Sequence, residues 1–318
     1  MRLLRLFVCL TLTLAAGLAA AQKLDGTLKI VVGYSPGGGI DRAARLVGDA
    51  LRDRLGVNVV VENKPGAGGR VAAMSLKGAP TSENVLMIGN PTVNVLSALA
   101  FKDLGYDPEK DFAAVSHVAS YGYGVAVGPL VPVKDIAALV AWLKANPKQA
   151  SFGVPATGGL PHLIALKLAD GAKVEAQVIG YRGSAPLALD VVGGQLPVGV
   201  DTLESLTAQH EGGKLRILAT GGARRSPELK DVPTLREQGF DIVAEGWYAF
   251  FASAAMPPEK VALLGRVIAQ IMTTPEMQAK FHATAMEPVV ATPEQTARMV
   301  AAFRAKWEPV FRAAKLEQ

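Results

Sequence analysis

Cysteine is almost missing: Cys9 is the only one among 318 residues. It lies inside an N-terminal apolar stretch, too early and behind too bulky a pair, Phe7-Val8, for a lipid-attachment site. The rest of the chain has no thiol chemistry, no disulfide and no cysteine-based metal site. Histidine is scarce as well, and His117, His162, His210 and His282 show no metal-ligand spacing. No Walker-A sequence occurs, so neither a metal nor a cofactor is expected. Aromatic residues are few and are not interleaved with the scattered basic ones, a pattern unlike a nucleic-acid surface. Past the N-terminus no apolar run approaches the roughly 20 residues that span a bilayer.

The N-terminus itself is informative. Arg2 and Arg5 precede an apolar stretch from Leu6 to Leu18, and Ala19-Ala20-Ala21 stands before Gln22. This basic, apolar, small-residue order is that of a cleaved export signal, residues 1–21, and places the mature protein in the periplasm. Removing 21 of 318 residues leaves 297, with 31 basic and 28 acidic side chains. That length suits two domains with a core each. The small positive balance is compatible with an anionic ligand.

The mature chain alternates short β-branched runs with helical patterns, as α/β folds with largely parallel sheets do. Strands are expected at Leu28–Val32, Val57–Val61 and Val85–Gly89, with helices near 40–55, 70–77 and 91–99. From about Tyr121 the pattern restarts, with strands at 125–127, 151–153, 175–179, 197–200, 215–220 and 247–251. Helices are expected at 134–146, 160–170, 184–192, 258–272 and 293–312. Met272, Met277 and Trp307 sit at helical spacing and read as core. Two α/β units without a flexible tether predict two lobes joined by strands, with a cleft between them.

Two motifs invite an enzymatic reading. Gly33-Tyr-Ser-Pro-Gly37 fits the G-x-S-x-G nucleophile elbow, with Ser35 as the nucleophile of a hydrolase. That fold takes an oxyanion-hole N–H from the residue after the serine, and Pro36 has none. Gly37-x-Gly39-x-x-Arg42, with Glu62 some 20 residues on, approximates a dinucleotide fingerprint. Arginine stands where the third glycine would allow close helix–strand packing. The chain therefore reads as a binding protein and not an enzyme.

Four polar loops after expected strands recur in the two halves. Pro36-Gly37-Gly38-Gly39 precedes a helix, where backbone N–H groups and the macrodipole favour an anion. Ala156-Thr157-Gly158-Gly159, followed by Leu-Pro-His162, repeats this in the second half with a hydroxyl and an imidazole. Tyr181–Pro186 and Asn90-Pro-Thr92 supply the others. Asp41 has an equally good role at the helix N-terminus, Asp201 follows a strand toward the cleft, and Arg70 is either a ligand clamp or a solvated helix residue.

These residues resemble the Bug, or TctC, family of extracytoplasmic solute receptors. The marks are Pro36–Gly39, Val59-Val-Val-Glu-Asn-Lys-Pro-Gly-Ala-Gly-Gly69, Tyr106-Asp-Pro with Asp111-Phe112, and Gly158–Leu163. Further on come Tyr181–Pro186, Gly193-Gly-Gln195, Arg225-Ser-Pro227, Asp231-Val-Pro-Thr234 and Glu287-Pro288. The resemblance covers nearly the whole mature chain. It implies a two-lobed α/β periplasmic-binding-protein fold (type II-like), with 22–122 and 245–318 as one lobe and 123–244 as the other. It also implies a small carboxylate ligand, the membrane components of a tripartite tricarboxylate transporter as partners, and a monomer. By position the ligand loops are Tyr34, Ser35 and Gly37–Gly39 in the first lobe and Ala156–Gly159 with His162 in the second. Tyr181 and Asp201 match further cleft positions, while Asn90, Thr92 and Tyr121–Tyr123 are individual to this chain and are expected to meet the rest of the ligand. A sensor that presents its closed form to a membrane kinase is the alternative within the same fold.

Overall fold

The computed structural model describes residues 24–314, so the expected signal segment lies outside the described residues. Strand β1 (Leu28–Val32) leads to α1 (Gly39–Leu55), β2 (Val59–Asn63), α2 (Arg70–Lys77) and β3 (Asn84–Gly89). A π-helical turn, Thr92–Leu96, runs into α3 (Ser97–Ala100), and the long strand β4 (Phe112–Val127) follows. Next come α4 (Ile136–Ala145), β5 (Ser151–Val154), α5 (Leu160–Ala172), β6 (Gln177–Gly180), α6 (Ser184–Val192), β7 (Val198–Thr202), α7 (Leu203–Glu211) and β8 (Arg216–Thr220). The chain closes with β9 (Glu245–Ser253), α8 (Pro258–Met272), α9 (Pro275–His282), β10 (Glu287–Pro288) and α10 (Pro293–Ala313).

The first three strands pair in parallel around β1, and β9 joins β3 antiparallel. β4 then changes partners along its length. Phe112 to Gly122 pair with β9, whereas Tyr123 to Val127 lie between β7 and β8. Beyond β7, β5 and β6 continue the second half in parallel. Two α/β lobes thus share one continuous strand, the two-lobed architecture that the alternating pattern predicted.

Burial explains the sequence patterns. β3 is buried at every position, as a strand covered on both faces must be. α1 buries Ile40, Ala43, Ala44, Val47 and Leu51, one stripe at helical spacing, and stops where Gly56 turns left-handed (φ 65°). Met272, Met277 and Trp307 are buried as expected. Fully buried Phe152, Phe250, Phe281 and Phe311 each contribute about 1.5–3 kcal/mol.

Several expectations need correction. The second strand and the strand expected at 175–179 each begin two residues later than read, at Val59 and Gln177. The helix expected over 91–99 is a π turn followed by one short α-turn. The strand expected at 125–127 is only the end of β4, whose earlier half intersperses Phe112, Val115 and Val118 with Ala, Ser and His and is held by β9 and β10.

Candidate ligand-binding cleft

One glycine loop from each lobe opens onto the seam, and the two have the same backbone course. In the β1–α1 loop Gly37 is left-handed (φ 91°), and its N–H donates to Asp41 Oδ2 at 2.9 Å. Gly38 is extended and Gly39 begins the helix. In the β5–α5 loop Gly158 is left-handed (φ 74°), and its N–H donates to His162 Nδ1 at 3.0 Å. Gly159 is extended and Leu160 begins the helix. Each loop is therefore braced by the side chain four residues ahead.

The braces are electrostatically settled. Burial would raise the Asp41 carboxyl, but Arg45, the Gly37 amide and Asn63 together hold it below the usual carboxylate range. Asn63 Nδ2 donates to it at 2.8 Å, and Arg45 makes two 3.0 Å contacts. Burial lowers the pKa of His162, which favours the neutral ring that Nδ1 needs to accept.

Four helices, α1, α5, α6 and α7, begin at the cleft. Their N-caps are Gly38, Gly159, Gly183 and Thr202, and none has a side-chain capping bond. Away from the cavity, α4, α9 and α10 are capped by Asp135, Thr274 and Thr292, while α2, α3 and α8 have no side-chain cap either. Uncapped first turns carry orphan N–H groups and the positive end of the macrodipole. Among the described residues no lysine or arginine lines the cavity. Positive potential there comes from backbone.

The space between the walls amounts to about 450 Å³, with open solvent at its mouth included. Tyr34, Gly38, Ile40, Asn90 and Thr92 form one wall, and Pro155, Ala156, Pro161, Ser184 and Thr202 form the other. Tyr121 and Tyr123 of β4 and Tyr248 of β9 close its inner end. The Tyr34 hydroxyl accepts from Asn90 Nδ2 at 3.0 Å and donates to the Gly68 carbonyl at 3.2 Å. Burial pushes its pKa up to about 12.

The lobes touch across this space. Ser35 N and Oγ both donate to the Arg182 carbonyl, at 2.9 and 3.0 Å. Tyr248 donates to Glu204 Oε1, and Arg42 donates to the Glu204 carbonyl. A Cβ at Gly39 would lie 2.2 Å from Glu204 Cγ, and one at Gly159 would lie 2.4 Å from Thr92 Oγ1. Only glycine permits these approaches.

Two buried carboxyls stand behind the second wall. Asp201 Oδ1 accepts from Ser184 Oγ at 2.9 Å and from the Thr202 N–H at 2.7 Å. Asp201 Oδ2 and Glu204 Oε2 have no partner among the described residues. Burial pushes both acids up to about 7.

Of the residues singled out in the sequence, Tyr34, Gly38, Asn90, Thr92, Tyr121, Tyr123 and Ala156 line the cavity. Ser35, Gly37, Gly39, Thr157, Gly158 and Gly159 pack at the seam around it, and His162 braces its loop. Asp201 lies one layer behind. Tyr181 turns away and donates to Asp190 Oδ2 at 2.7 Å. Arg70 is no clamp here, since its guanidinium carbon stacks 3.6 Å over the Phe101 ring centre. Sequence reasoning missed Ser184 as a wall residue, and also Thr202, Glu204 and Tyr248. Only Ser184 had a local signal, its glycine-bearing loop; the others meet only through the fold.

A two-lobed α/β fold with helix starts facing an interlobe cavity defines a solute-binding receptor. The chain matches the family model described as tripartite tricarboxylate transporter family receptor (TctC) over residues 43–316. It is 30% identical to protein BugT of Bordetella pertussis over 98% of both chains. A solved structure described as a periplasmic transporter is 31% identical, with a TM-score of 0.86, covering 94% of this chain and 99% of that one. The structure of R. palustris Rpa4515 with adipate is 29% identical, with a TM-score of 0.86 over 91% of this chain and 97% of that one. The chain belongs to the TctC receptor family, whose members are periplasmic solute receptors.

Proposed function

We propose that the cleft captures a small carboxylate by closing two lobes over it, with no chemical turnover. The observation that carries this is the convergence of four helix starts on a cavity that, among the described residues, no lysine or arginine lines. Such sites hold anions through backbone N–H groups. The adipate bound by the R. palustris relative supports the same ligand class. Contacts from both lobes favour the closed form only if the ligand binds it better than the open one.

The lobes proposed are 22–122 with 245–318, and 123–244. The change of partners along β4 between Gly122 and Tyr123 supports that division. The first 21 residues are proposed as the export signal and a tripartite transporter's membrane subunits as the recipient. Among the described residues no helix is long and apolar enough to cross a membrane.

The hydrolase reading of Ser35 loses support from its surroundings. The Ser35 hydroxyl donates to the Arg182 carbonyl, while each histidine is engaged elsewhere, with Ala119, Gly158, Ile217 or Glu287. A thermal-shift screen of ligand-stripped protein against mono-, di- and tricarboxylates tests capture. A ligand at a thousand times its Kd adds about 4 kcal/mol of stability. A selective shift is expected; silence from folded protein across the panel, or ester turnover lost on Ser35→Ala, refutes the reading.

A further inference from the structure

The cleft has a counterpart behind it. Tyr121, Tyr123 and Tyr248 close the inner end of the cavity and share one face of the paired strands β4 and β9. The Tyr121 ring centre stands 5.5 Å from that of Tyr123 and 4.2 Å from that of Tyr248. Gly246 lies opposite Tyr121, and a Cβ there would collide with the Tyr121 ring. Successive side chains of a strand point to opposite faces, so Ser120 and Gly122 of β4 and Glu245 of β9 belong to the other face. Those three residues floor a second, open groove, and Tyr121 borders both spaces. The groove amounts to about 1340 Å³, solvent at its mouth included, ample room for an indole.

The two rims of the groove are held by different halves of β4. On one side stand Gly222, Ala223 and Arg224, in the loop that leaves β8. β8 pairs with Gly124–Val127, and the Gly221 N–H donates to the Tyr123 carbonyl at 2.7 Å. On the other side stand Ala285 and Glu287, held by the pairing of β10 with Ala119 and Ser120. Between the rims Gly122 pairs with Glu245, at the point where β4 leaves β9 for β7. A Cβ at Gly122 would lie 2.9 Å from Leu203 Cδ1, so glycine keeps the crossing thin on this face as Gly246 does on the other. A few residues at the ends of elements are what a hinge needs to absorb the change in backbone angles.

We propose that this groove is the counter-jaw of the cleft: the rotation about the β4–β9 crossing that shuts the cavity opens the groove, and a wedge that keeps the groove open tightens ligand capture. The inference rests on reading capture as closure of the lobes. With the cavity on one face of the crossing and the groove on the other, walls that approach on the first face separate on the second. The apparent dissociation constant is the intrinsic one divided by the fraction of protein that is closed. A wedge in the groove therefore acts on affinity without touching the ligand, and by linkage the ligand favours the wedge equally.

Two measurements on the full mature chain, stripped of ligand, test it, with succinate, glutarate and adipate as probes. Past Cys9 the chain has no cysteine. Spin labels on Arg224→Cys and Glu287→Cys, one exposed position on each rim, therefore report the width of the groove. When a probe that binds is added, the distance between the labels should lengthen while the radius of gyration from X-ray scattering falls. A distance that shortens or stays the same as the radius falls overturns the counter-jaw and leaves capture standing. The second measurement places an indole in the groove, by Ala223→Trp on the exposed rim and by Glu245→Trp on the floor. Without ligand at least one variant should have a smaller radius of gyration than wild type. That variant should bind the same probe at least about fivefold tighter in calorimetry. Unchanged radii and affinities in both folded variants overturn the inference. If folded wild type binds none of the three probes, dicarboxylate capture fails, and the ligand-free comparison of radii alone decides the counter-jaw.

Discussion

Replacing Gly39 with alanine separates closure from folding. Gly39 is the first residue of α1, with a φ outside the left-handed region, so alanine fits its backbone. In a helix alanine is even preferred over glycine, by roughly 0.5–1 kcal/mol. The obstacle lies in the other lobe. The new Cβ would stand 2.2 Å from Glu204 Cγ, 2.3 Å from Oε1 and 2.6 Å from Cδ. Carbon contacts settle near about 3.5–4 Å, so the Glu204 side chain must retreat by more than about 1 Å. It is buried and holds the Tyr248 hydroxyl, so retreat breaks that bond. A hydrogen bond to a charged group is worth about 1.5–3 kcal/mol, a loss of roughly 10- to 150-fold in affinity. Calorimetry with whichever acid binds best measures it, and a thermal melt of ligand-free protein verifies the fold. A double-mutant cycle sharpens the result: on a Glu204→Ala background, Gly39→Ala should have almost no further effect. Unchanged affinity in the single variant, or equal losses in both backgrounds, would refute the close approach as the basis of closure.

Other outcomes follow from the braces and buried acids. Asp41→Ala leaves Arg45, Asn63 and the Gly37 N–H without their shared acceptor, and should cost about 2–4 kcal/mol in a denaturant titration. His162→Ala removes the acceptor of the Gly158 N–H and should weaken binding by about 1–2 kcal/mol, read by calorimetry. Folding raises Asp201 and Glu204 to about 7, so their contribution to stability is full below the ordinary carboxylate range and is lost as pH rises through about 7. The melting temperature of wild type should fall as pH rises from about 4 to 7 and level off above that, and Glu204→Gln should flatten part of that slope. Asp41 and His162 have the opposite sign, since both are depressed by folding and lose their contribution as pH falls through their folded values.

What the sequence reveals of this molecule depends on how local each cause is. The glycine loops are legible because a helix start that must leave N–H groups open, and a left-handed residue before it, both leave glycine in the sequence; Gly37-Gly38 and Gly158-Gly159 carry that mark independently in the two lobes. α6 and α8 show their ends through apolar spacing and a proline at N1 or a terminal glycine. The first half of β4 leaves no such trace. Phe112, Val115 and Val118 favour a strand but are spaced by Ala, Ser and His without alternation, and pairing with β9 and β10 imposes the strand on the whole. The same holds for α7, which starts at once after β7 with Thr202 as both strand end and N-cap. Glu204 is the plainest case. On its own it reads as an acidic residue in a first helical turn, a favourable place for any carboxylate. Its character changes only when closure sets it against Gly39 and Tyr248, which are remote in sequence and belong to the other lobe. The glycine loops are therefore written in short motifs, whereas the surroundings of Glu204 are written only in contacts between distant segments. Relatives that share the glycine loops can share the first without sharing the second.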